Sequence, residues 1–244
     1  MKVSAIVNCC YEGHLLRRSL DSAIRSIAAS GIADQCELIV VADSANKTTL
    51  GVLSEYDDRL HRVVRTDFSD LGLARNAGSE VAQGELVLFL DGDDLWSVNW
   101  VGGVWSEYLK SPRETILHPL YCVFFGQRTE VLVHADWRDP HFDPRGLISH
   151  NHWIALCGVR KDLLTELPFP AADAKRRFGF EDWSWYANTI ARGFRHCTVP
   201  QTAHFVRLKA VDSIQKSMRG YYRIPSLEFA EYLAADDPVR PYNL

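Results

Sequence analysis

The first 95 residues alternate between short apolar runs and amphipathic stretches, and this rhythm restricts the fold more than any other feature of the sequence. Runs rich in aliphatic and β-branched residues predict buried strands, and apolar residues spaced three or four apart predict helices. The predicted strands are 2–8, 37–42, 60–65 and 85–90, and the predicted helices are 15–27, 48–56 and 71–82. Because strands and helices that alternate in this way form right-handed βαβ units, we expect a mostly parallel sheet with helices on both faces.

The rhythm changes after residue 95, where the pattern predicts an α+β arrangement added to the same sheet. Helices are predicted over 98–110, 161–166 and 181–192, and strands over 116–125, 129–135, 153–159 and 198–207. No shift in composition separates the two halves, so we expect a single α/β domain over residues 1–244. The tail over about 216–244 either packs over the site or mediates self-association, which leaves a homo-oligomer open.

The net charge and the lengths of the apolar runs argue against several classes of protein. The formal net charge of −4 gives no basic field for a polyanion, so no nucleic-acid partner is expected. The longest apolar runs are far shorter than the about 20 residues that cross a bilayer, and the N-terminal stretch turns polar too early for a secretory signal. We therefore expect no transmembrane segment and a cytoplasmic location. The 6 cysteines form no CxxC pair and are expected to be reduced.

The loops that follow the predicted strands are the expected place for a ligand. In parallel α/β sheets, ligands bind beyond the carboxyl ends of the strands. These loops lie at 8–13, 43–47, 66–70 and 91–94, and three of the four contain aspartate. The sequence therefore predicts an acidic, ligand-binding edge of the sheet.

The clearest chemical signal is the fourth loop, where an apolar strand runs directly into Asp91, Gly92, Asp93 and Asp94. Neighbouring carboxylates repel one another unless a cation or solvent compensates their charge. Mg²⁺ and Mn²⁺ suit such a loop, because they bind one or two protein carboxylates and complete their shells with water and phosphate oxygens. The same residues also fit a solvated acidic turn in which Asp93 or Asp94 caps the next helix, and the spacing alone leaves both open.

A series of motifs stands in order within residues 3–100. The motifs are Val3-Ser4-Ala5-Ile6-Val7-Asn8, Leu16-Arg17-Arg18-Ser19-Leu20-Asp21-Ser22, Val41-Ala42-Asp43-Ser44, Ala74-Arg75-Asn76-Ala77-Gly78, Gly84-Glu85 and Asp91-Gly92-Asp93-Asp94. In order and spacing they resemble the donor half of family 2 glycosyltransferases, whereas any one of them alone is weak. The resemblance implies a GT-A fold with a mostly parallel central sheet, a nucleotide-sugar-binding half at about 1–95 and an acceptor and catalytic half at about 96–215.

The resemblance also implies roles for residues that would contact the nucleotide. Asp43 is similar to the aspartate that accepts a hydrogen bond from the base, which favours a UDP-sugar as the donor. Asn8, at the end of the first strand, resembles the residue that lies against the nucleoside. One position departs from the family pattern, because Ala42 stands where the family has the first aspartate of its DDGS motif. This departure bears on the choice of base more than on the fold.

Four residues are expected around the diphosphate and the metal. On its helix, Arg75 could hold a diphosphate oxygen or an aspartate of the 91–94 loop, or could simply lie at the surface; the resemblance favours a place near the diphosphate. Asp91 and Asp93 are similar to the family's DxD pair, one near the ribose or metal and the other on the metal itself. His204 resembles a histidine that completes the metal site in some GT-A enzymes, although a lone histidine in a strand is more often structural. The cofactor implied is Mn²⁺ or Mg²⁺.

A second acidic pair, Glu181-Asp182, precedes the strong helix predicted at 181–192. Inverting transfer needs a carboxylate that takes the proton of the acceptor hydroxyl, and Asp182 resembles that base. The alternative is that both acids only complement the helix dipole. Glu181, Trp153 and Trp183 are candidates for contact with the acceptor, since aromatic rings pack well on sugars, but tryptophans in so apolar a half are more often part of the core.

These observations lead to one functional hypothesis with two alternatives. The hypothesis is a metal-dependent inverting glycosyltransferase that moves one sugar from a nucleotide diphosphate sugar to an unidentified acceptor hydroxyl. The QxxRW signature of processive synthases is absent, which favours transfer of a single sugar. A nucleotidyltransferase on a similar sheet would need a glycine-rich loop after the first strand, where 8–13 has only one glycine. A binding module without turnover is the second alternative.

Overall fold

The computed structural model describes residues 1–154, 157–209 and 221–235. The first half contains strands β1 (Val3–Cys9), β2 (Cys36–Asp43), β3 (Arg62–Thr66) and β4 (Leu86–Asp91), with helices α1 (Leu16–Ala28), α2 (Lys47–Ser54) and α3 (Leu71–Val81). The second half contains strands β5 (Leu95–Trp96), β6 (Thr115–Gly126), β7 (Glu130–Val133), β8 (Gly158–Arg160), β9 (Phe178–Gly179), β10 (Arg195–Leu208) and β11 (Tyr222–Arg223). Its helices are α4 (Trp100–Tyr108), α5 (Lys161–Glu166), α6 (Glu181–Ala191) and α7 (Leu227–Ala234).

Within these residues, one nine-stranded sheet runs in the order β3-β2-β1-β4-β8-β6-β10-β5, and β7 pairs with β6 outside this path. Strand β1 is parallel to both β2 and β4, and β2 is parallel to β3. Strand β8 is antiparallel to β4 and to β6, whereas β6 and β10 are parallel. The parallel βαβ half and the mixed second half on the same sheet are the arrangement that the sequence predicts.

The core lies on both faces of the sheet. Every residue of β1 and β2 is buried, as expected for central strands that are covered on both sides. Alternate side chains of a strand point to opposite faces, so Val7 packs in the cluster that includes α1 and α4, and Ile6 packs in the one that includes α6. The sheet is therefore a rigid platform whose carboxyl-terminal edge carries the polar loops.

Two predicted elements differ from the structure. The apolar run 153–159 reads as a strand, but a strand is present only at Gly158–Arg160, with residues 155 and 156 outside the described ranges. Trp153 is instead buried against histidine rings. Its apolar side chain is therefore explained by packing in the core and not by a place in a strand. The predicted helix 98–110 begins at Trp100 and ends at Tyr108. The remaining predicted helices and strands are present, with ends shifted by a few residues.

The tail contributes at least one packed helix. Ser226 caps α7 by accepting a hydrogen bond from the Phe229 N–H at 3.0 Å, and the Phe229 ring is fully buried among residues of α6. Arg192 at the end of α6 is 2.7 Å from Glu228. The other residues of the predicted tail, 216–220 and 236–244, lie outside the described ranges. No helix in the described ranges is long and apolar enough to cross a membrane.

A chain of buried histidines joins β6, β10 and α6. The Nε2 atom of His118 is 2.8 Å from Nδ1 of His196, whose Nε2 atom is 2.9 Å from the Thr189 hydroxyl. Beside them, Nδ1 of His134 is 2.7 Å from the Pro119 carbonyl. Because burial disfavours the charged imidazolium, it lowers the pKa of all three histidines, and that of His134 falls to about 4.

The buried His134 predicts a loss of stability in mild acid. Its pKa is about 4 in the folded protein and about 6.5 in an unfolded chain, so the unfolded state binds more protons between these values. The stabilisation is therefore present above pH 6.5 and is lost as the pH falls towards 4. We expect His134→Asn, which can still donate to Pro119, to remove about 2 kcal/mol of the pH dependence of unfolding between pH 7 and pH 5.

Urea denaturation of both proteins at the two pH values measures this difference. An equal loss of unfolding free energy in the wild type and in His134→Asn would show that His134 does not control acid stability.

Candidate active site

Three polar side chains meet at the carboxyl-terminal edge of the sheet. Asn8 is the last residue but one of β1 and pairs in register with Val41 of β2 and with Asp91 of β4. Asp43 lies two residues beyond Val41, so its side chain points to the same face as those of Asn8 and Asp91. This is the face that α3 covers, and α3 begins with a cap in which Asp70 accepts from the Leu73 N–H at 2.9 Å.

Arg75 of α3 ties this edge to the second half of the chain. Its side chain is 0% exposed; one amino group donates to Glu181 Oε1 at 2.8 Å and the other to Asp91 Oδ1 at 3.1 Å. A guanidinium is suited to such a bridge because it is planar and always charged. Both amino groups are thus bound by protein carboxylates, and solvent does not reach them.

These contacts bear on two predictions from the sequence. Arg75 is bound to an aspartate of the 91–94 loop, which is one of the partners that the sequence left open, and its contact with a diphosphate stays a prediction. Glu181 is 9% exposed and bound to Arg75, so its carboxylate is not free for the acceptor. Both residues hold other groups in position.

Asp182 follows Glu181 at the start of α6 and remains partly exposed. Asn151 donates to its Oδ2 atom at 3.2 Å. Desolvation and the neighbouring charge of Glu181 raise the pKa of Asp182 to about 7. The residue before the pair, Phe180, is in the left-handed conformation with φ 59°, an uncommon backbone state for a non-glycine residue. The geometry gives a carboxyl group that exchanges a proton near neutral pH.

The 91–94 loop holds its carboxylates in different surroundings. The Gly92 N–H donates to the Asn8 carbonyl at 2.8 Å, and a Cβ at Gly92 would lie 3.0 Å from that oxygen. Asp94 is buried and accepts from the Arg207 N–H at 2.7 Å; burial and the charges of Asp91 and Asp93 raise its pKa well above the usual range. Asp93 Oδ2 is 2.8 Å from the ammonium of Lys209.

Three further residues lie near these carboxylates: Glu12, Asn151 and Lys209. Of these, Glu12 and Lys209 were not candidates from the sequence. Glu12 lies in the loop after β1, binds the Cys10 N–H and has a pKa that burial raises. Its position in a strand-end loop was a usable signal, because it is the only carboxylate in 8–13. Asn151 and Lys209 come from segments far along the chain, so only the folded structure brings them here.

His204 and Trp153 are not at this edge. The imidazole of His204 is 1% exposed, with its ring centroid 5.0 Å from that of Trp100 and 6.2 Å from that of Trp96. This packing corrects the predicted metal role of His204. Trp153 stacks on His196 with centroids 4.0 Å apart and is 1% exposed, which corrects its predicted contact with the acceptor. Trp183 is half-buried and donates to the Leu147 carbonyl, so it remains a candidate for that contact.

Asp43 shapes the loop between β3 and α3. Its carboxylate accepts from the Thr66 hydroxyl at 2.9 Å, from the Phe68 N–H at 2.7 Å and from the Asp70 N–H at 3.1 Å.

Asn8 is also buried, yet neither atom of its amide group has a hydrogen-bond partner in the described part of the chain. Buried polar groups are rarely left unpaired, so the Asn8 amide is a candidate for pairing with a bound group.

A cavity of about 420 Å³ opens at the ends of β1, β2 and β3. Tyr11, Ser44 and Arg65 line it together with the apolar Ala42 and Leu50. A cavity of this size lies within the usual range for small-molecule ligands. Its position places a ligand next to the acidic loops, as expected for an open α/β sheet.

The sequence and the structure were compared with those of known proteins. The family model described as "Glycosyl transferase family 2" matches residues 4–166. The validoxylamine A glucosyltransferase of Streptomyces hygroscopicus subsp. jinggangensis is 26% identical over 186 residues, which cover 74% of this chain and 36% of that protein. The matches span only 15–39% of the length of the curated relatives.

Solved structures show a similar fold at low sequence identity. S. aureus TarS 1-349 in complex with UDP-GlcNAc has a TM-score of 0.69 and 20% identity, covering 97% of this chain and 68% of that chain. The mannosyltransferase PcManGT from Pyrobaculum calidifontis, in complex with GDP-Man and Mn²⁺, has a TM-score of 0.61 and 19% identity, covering 86% of this chain and 58% of that one.

The two buried ion pairs of Arg75 predict that its substitution strongly destabilises the folded protein. Arg75→Met leaves Asp91 and Glu181 close together without their cation, so we expect the free energy of unfolding to fall by about 3–5 kcal/mol. Arg113→Met is the matched control, because Arg113 forms an exposed ion pair with Asp162, and we expect a change within about 0.5 kcal/mol. Urea denaturation of the three proteins measures both values. A loss below about 1 kcal/mol for Arg75→Met would refute the structural role of the bridge.

Proposed function

Since the chain belongs to glycosyl transferase family 2, we propose that it is a metal-dependent, inverting transferase that moves one sugar from a nucleotide diphosphate sugar to an acceptor hydroxyl. The family makes it a glycosyltransferase, and its fold is the GT-A fold predicted from the motifs. The observation that carries the finer proposal is the bridge from Asp91 through Arg75 to Glu181. This bridge joins the end of β4, which carries Asp91, to the start of α6, which carries Asp182.

Asp182 is the proposed base. Its raised pKa means that an appreciable fraction is ionised at neutral pH while the carboxylate remains basic enough to take a proton. Asn151 holds one carboxylate oxygen by a hydrogen bond, which restricts the rotation of the side chain. In the proposed reaction the acceptor hydroxyl gives its proton to Asp182 as its oxygen attacks C1 of the sugar. The diphosphate leaves from the opposite face.

Asp91 and Asp93 are the residues that would hold the cation. No group of three histidine, cysteine, aspartate or glutamate side chains in residues 1–154, 157–209 and 221–235 is arranged to hold one. Mg²⁺ and Mn²⁺ need only one or two protein carboxylates when substrate phosphates complete the shell. The ammonium of Lys209, 2.8 Å from Asp93, is a stand-in that supports the fit of a cation there. When bound, a divalent cation would offset the charge of the leaving diphosphate.

The proposed donor is a nucleotide diphosphate sugar, with UDP favoured. The 420 Å³ cavity, lined by Ser44 and Arg65, would take the nucleoside. The unpaired amide of Asn8 is proposed as a further contact, from the face of the sheet that α3 covers. The similar TarS structure contains UDP-GlcNAc, and the PcManGT structure contains GDP-Man with Mn²⁺. A carboxylate has about four acceptor positions, so Asp43, with three donors bound, keeps one for the base in this proposal. We also propose that the reaction takes place in the cytoplasm.

The activity itself is tested without knowledge of the acceptor. We expect the protein, in the presence of Mn²⁺, to release nucleoside diphosphate slowly from at least one nucleotide sugar by transfer to water. Mn²⁺ and UDP together should also raise the melting temperature, because both bind the folded state. A panel of UDP- and GDP-sugars with a coupled assay measures the release. No release from any donor, together with no metal-dependent thermal shift, would contradict the proposal.

The role of Asp182 predicts the pH dependence of that release. Because the base must be ionised, the rate should rise with pH, about tenfold per unit, and level off above its pKa of about 7. Asp182→Asn should lower the rate by about 10²–10⁴-fold while UDP binding is kept. The exposed Asp57→Asn is the control and should behave as the wild type. An Asp182→Asn protein with the wild-type rate and pH profile would exclude this base.

A further inference from the structure

Lys209 brings a second cation to the acidic loop. It follows the end of β10 directly, and its ammonium lies 2.8 Å from Asp93 Oδ2. Two residues earlier on the chain, Arg207 donates its N–H to Asp94 and holds Nε 4.0 Å from the same Asp93 oxygen. The end of β10 is thus fastened to the loop by its backbone. This anchor delivers the lysine side chain to the carboxylate proposed to hold the metal.

The two cationic groups at this edge differ in their freedom to move. Arg75 is fully buried and bound to two carboxylates, which hold it in place. The Lys209 side chain is 28% exposed and has one carboxylate within ion-pair distance among the described residues. An ammonium on a four-carbon stem is a mobile point charge, and lysine serves widely as a phosphate ligand. Lys209 is therefore able to exchange one anionic partner for another.

The charges around the 91–94 loop indicate that Lys209 does not take the place of a divalent cation when the donor is bound. Arg75 pairs with Asp91 and Glu181, which leaves Asp93, Asp94 and Glu12 near the two cations of the β10 end. A donor diphosphate would add further negative charge at this edge, more than Lys209 and Arg207 can balance. A divalent cation is still needed beside them. Since a metal ion and an ammonium repel each other, a metal on Asp93 weakens the contact of Lys209 with the same carboxylate.

We propose that Lys209 occupies the cation position on Asp93 in the donor-free protein and moves to the diphosphate when donor and metal bind. This inference rests on the proposed function and adds Lys209 as a residue that binds the donor diphosphate. The exchange keeps Asp93 paired in both states, which avoids an uncompensated charge at a carboxylate whose side chain is only 10% exposed. It also lets the metal and the donor bind together better than the metal binds alone.

Mn²⁺ titrations followed by electron paramagnetic resonance test the first half of the proposal. In donor-free protein, Lys209→Met removes the competing ammonium, so its affinity for Mn²⁺ should be about tenfold higher than that of the wild type. Lys110→Met removes an exposed lysine elsewhere and should leave the Mn²⁺ affinity unchanged. Circular dichroism and the melting temperature check that each variant is folded. An equal Mn²⁺ affinity in the wild type and Lys209→Met overturns the proposal.

Calorimetric titration with UDP at saturating Mn²⁺ tests the second half. Lys209→Met should bind UDP about tenfold more weakly than the wild type, and Lys209→Arg should restore most of that affinity because it keeps the charge. UDP affinity that is unchanged in Lys209→Met overturns the transfer to the diphosphate. Wild-type protein that binds no UDP contradicts the proposed function instead, and the donor-free Mn²⁺ titration still decides whether Lys209 competes for Asp93.

Discussion

The buried guanidinium of Arg75 is the interaction on which the site depends. It joins Asp91 at the end of β4 to Glu181 at the start of α6, and these residues are 90 positions apart in the numbering. Burying a charge is costly unless it is paired and hydrogen-bonded, so α3, β4 and α6 must keep their relative positions for the ion pairs to form. The distance between the acidic loop and Asp182 is thereby set by the core of the protein and not by a surface loop.

The edge of the sheet concentrates negative charge that the chain as a whole does not show. The formal net charge is only −4, yet Asp91, Asp93, Asp94 and Glu12 converge at the ends of β1 and β4. Burial raises the pKa of Asp94 and Glu12, which limits the number of charges present at once. Such a site has a large capacity for cations and little affinity for a phosphate by itself. It therefore suits an anionic donor that arrives with a metal.

The site residues at the ends of β1, β2 and β4 were predictable because each is recognised from the sequence immediately around it. Strand ends could be read from apolar runs, and parallel strands bring their carboxyl ends together, so Asn8, Asp43 and Asp91 were expected to meet. For Arg75 the sequence left an aspartate of the 91–94 loop open as a partner but did not indicate Glu181, since the helix spacing fits a surface arginine as well as a buried bridge. Its contact with Glu181 depends on how the two halves pack. The same applies to Lys209, whose position depends on the route of β10.

The misplaced His204 has a specific physical cause. Strand β10 is irregular between Val199 and Ala203, and Gln201 within this stretch has φ 60°. A bulge changes which side chains face which side of a sheet, and Pro200 within this stretch is the one sequence signal that marks it. The ring of His204 consequently packs against Trp96 and Trp100 in the core. Burial of large aromatic surfaces likewise placed Trp153 inside the protein.

The central claim is that a metal-bound nucleotide sugar lies at the end of β4, opposite the carboxyl group of Asp182. Anomalous diffraction from crystals soaked with UDP-sugar and Mn²⁺ tests it most directly. We expect a manganese peak bonded to Asp93 or Asp91 and to the diphosphate, with C1 of the sugar facing Asp182. Manganese and diphosphate bound away from these carboxylates, or a sugar whose C1 faces away from Asp182, would contradict it.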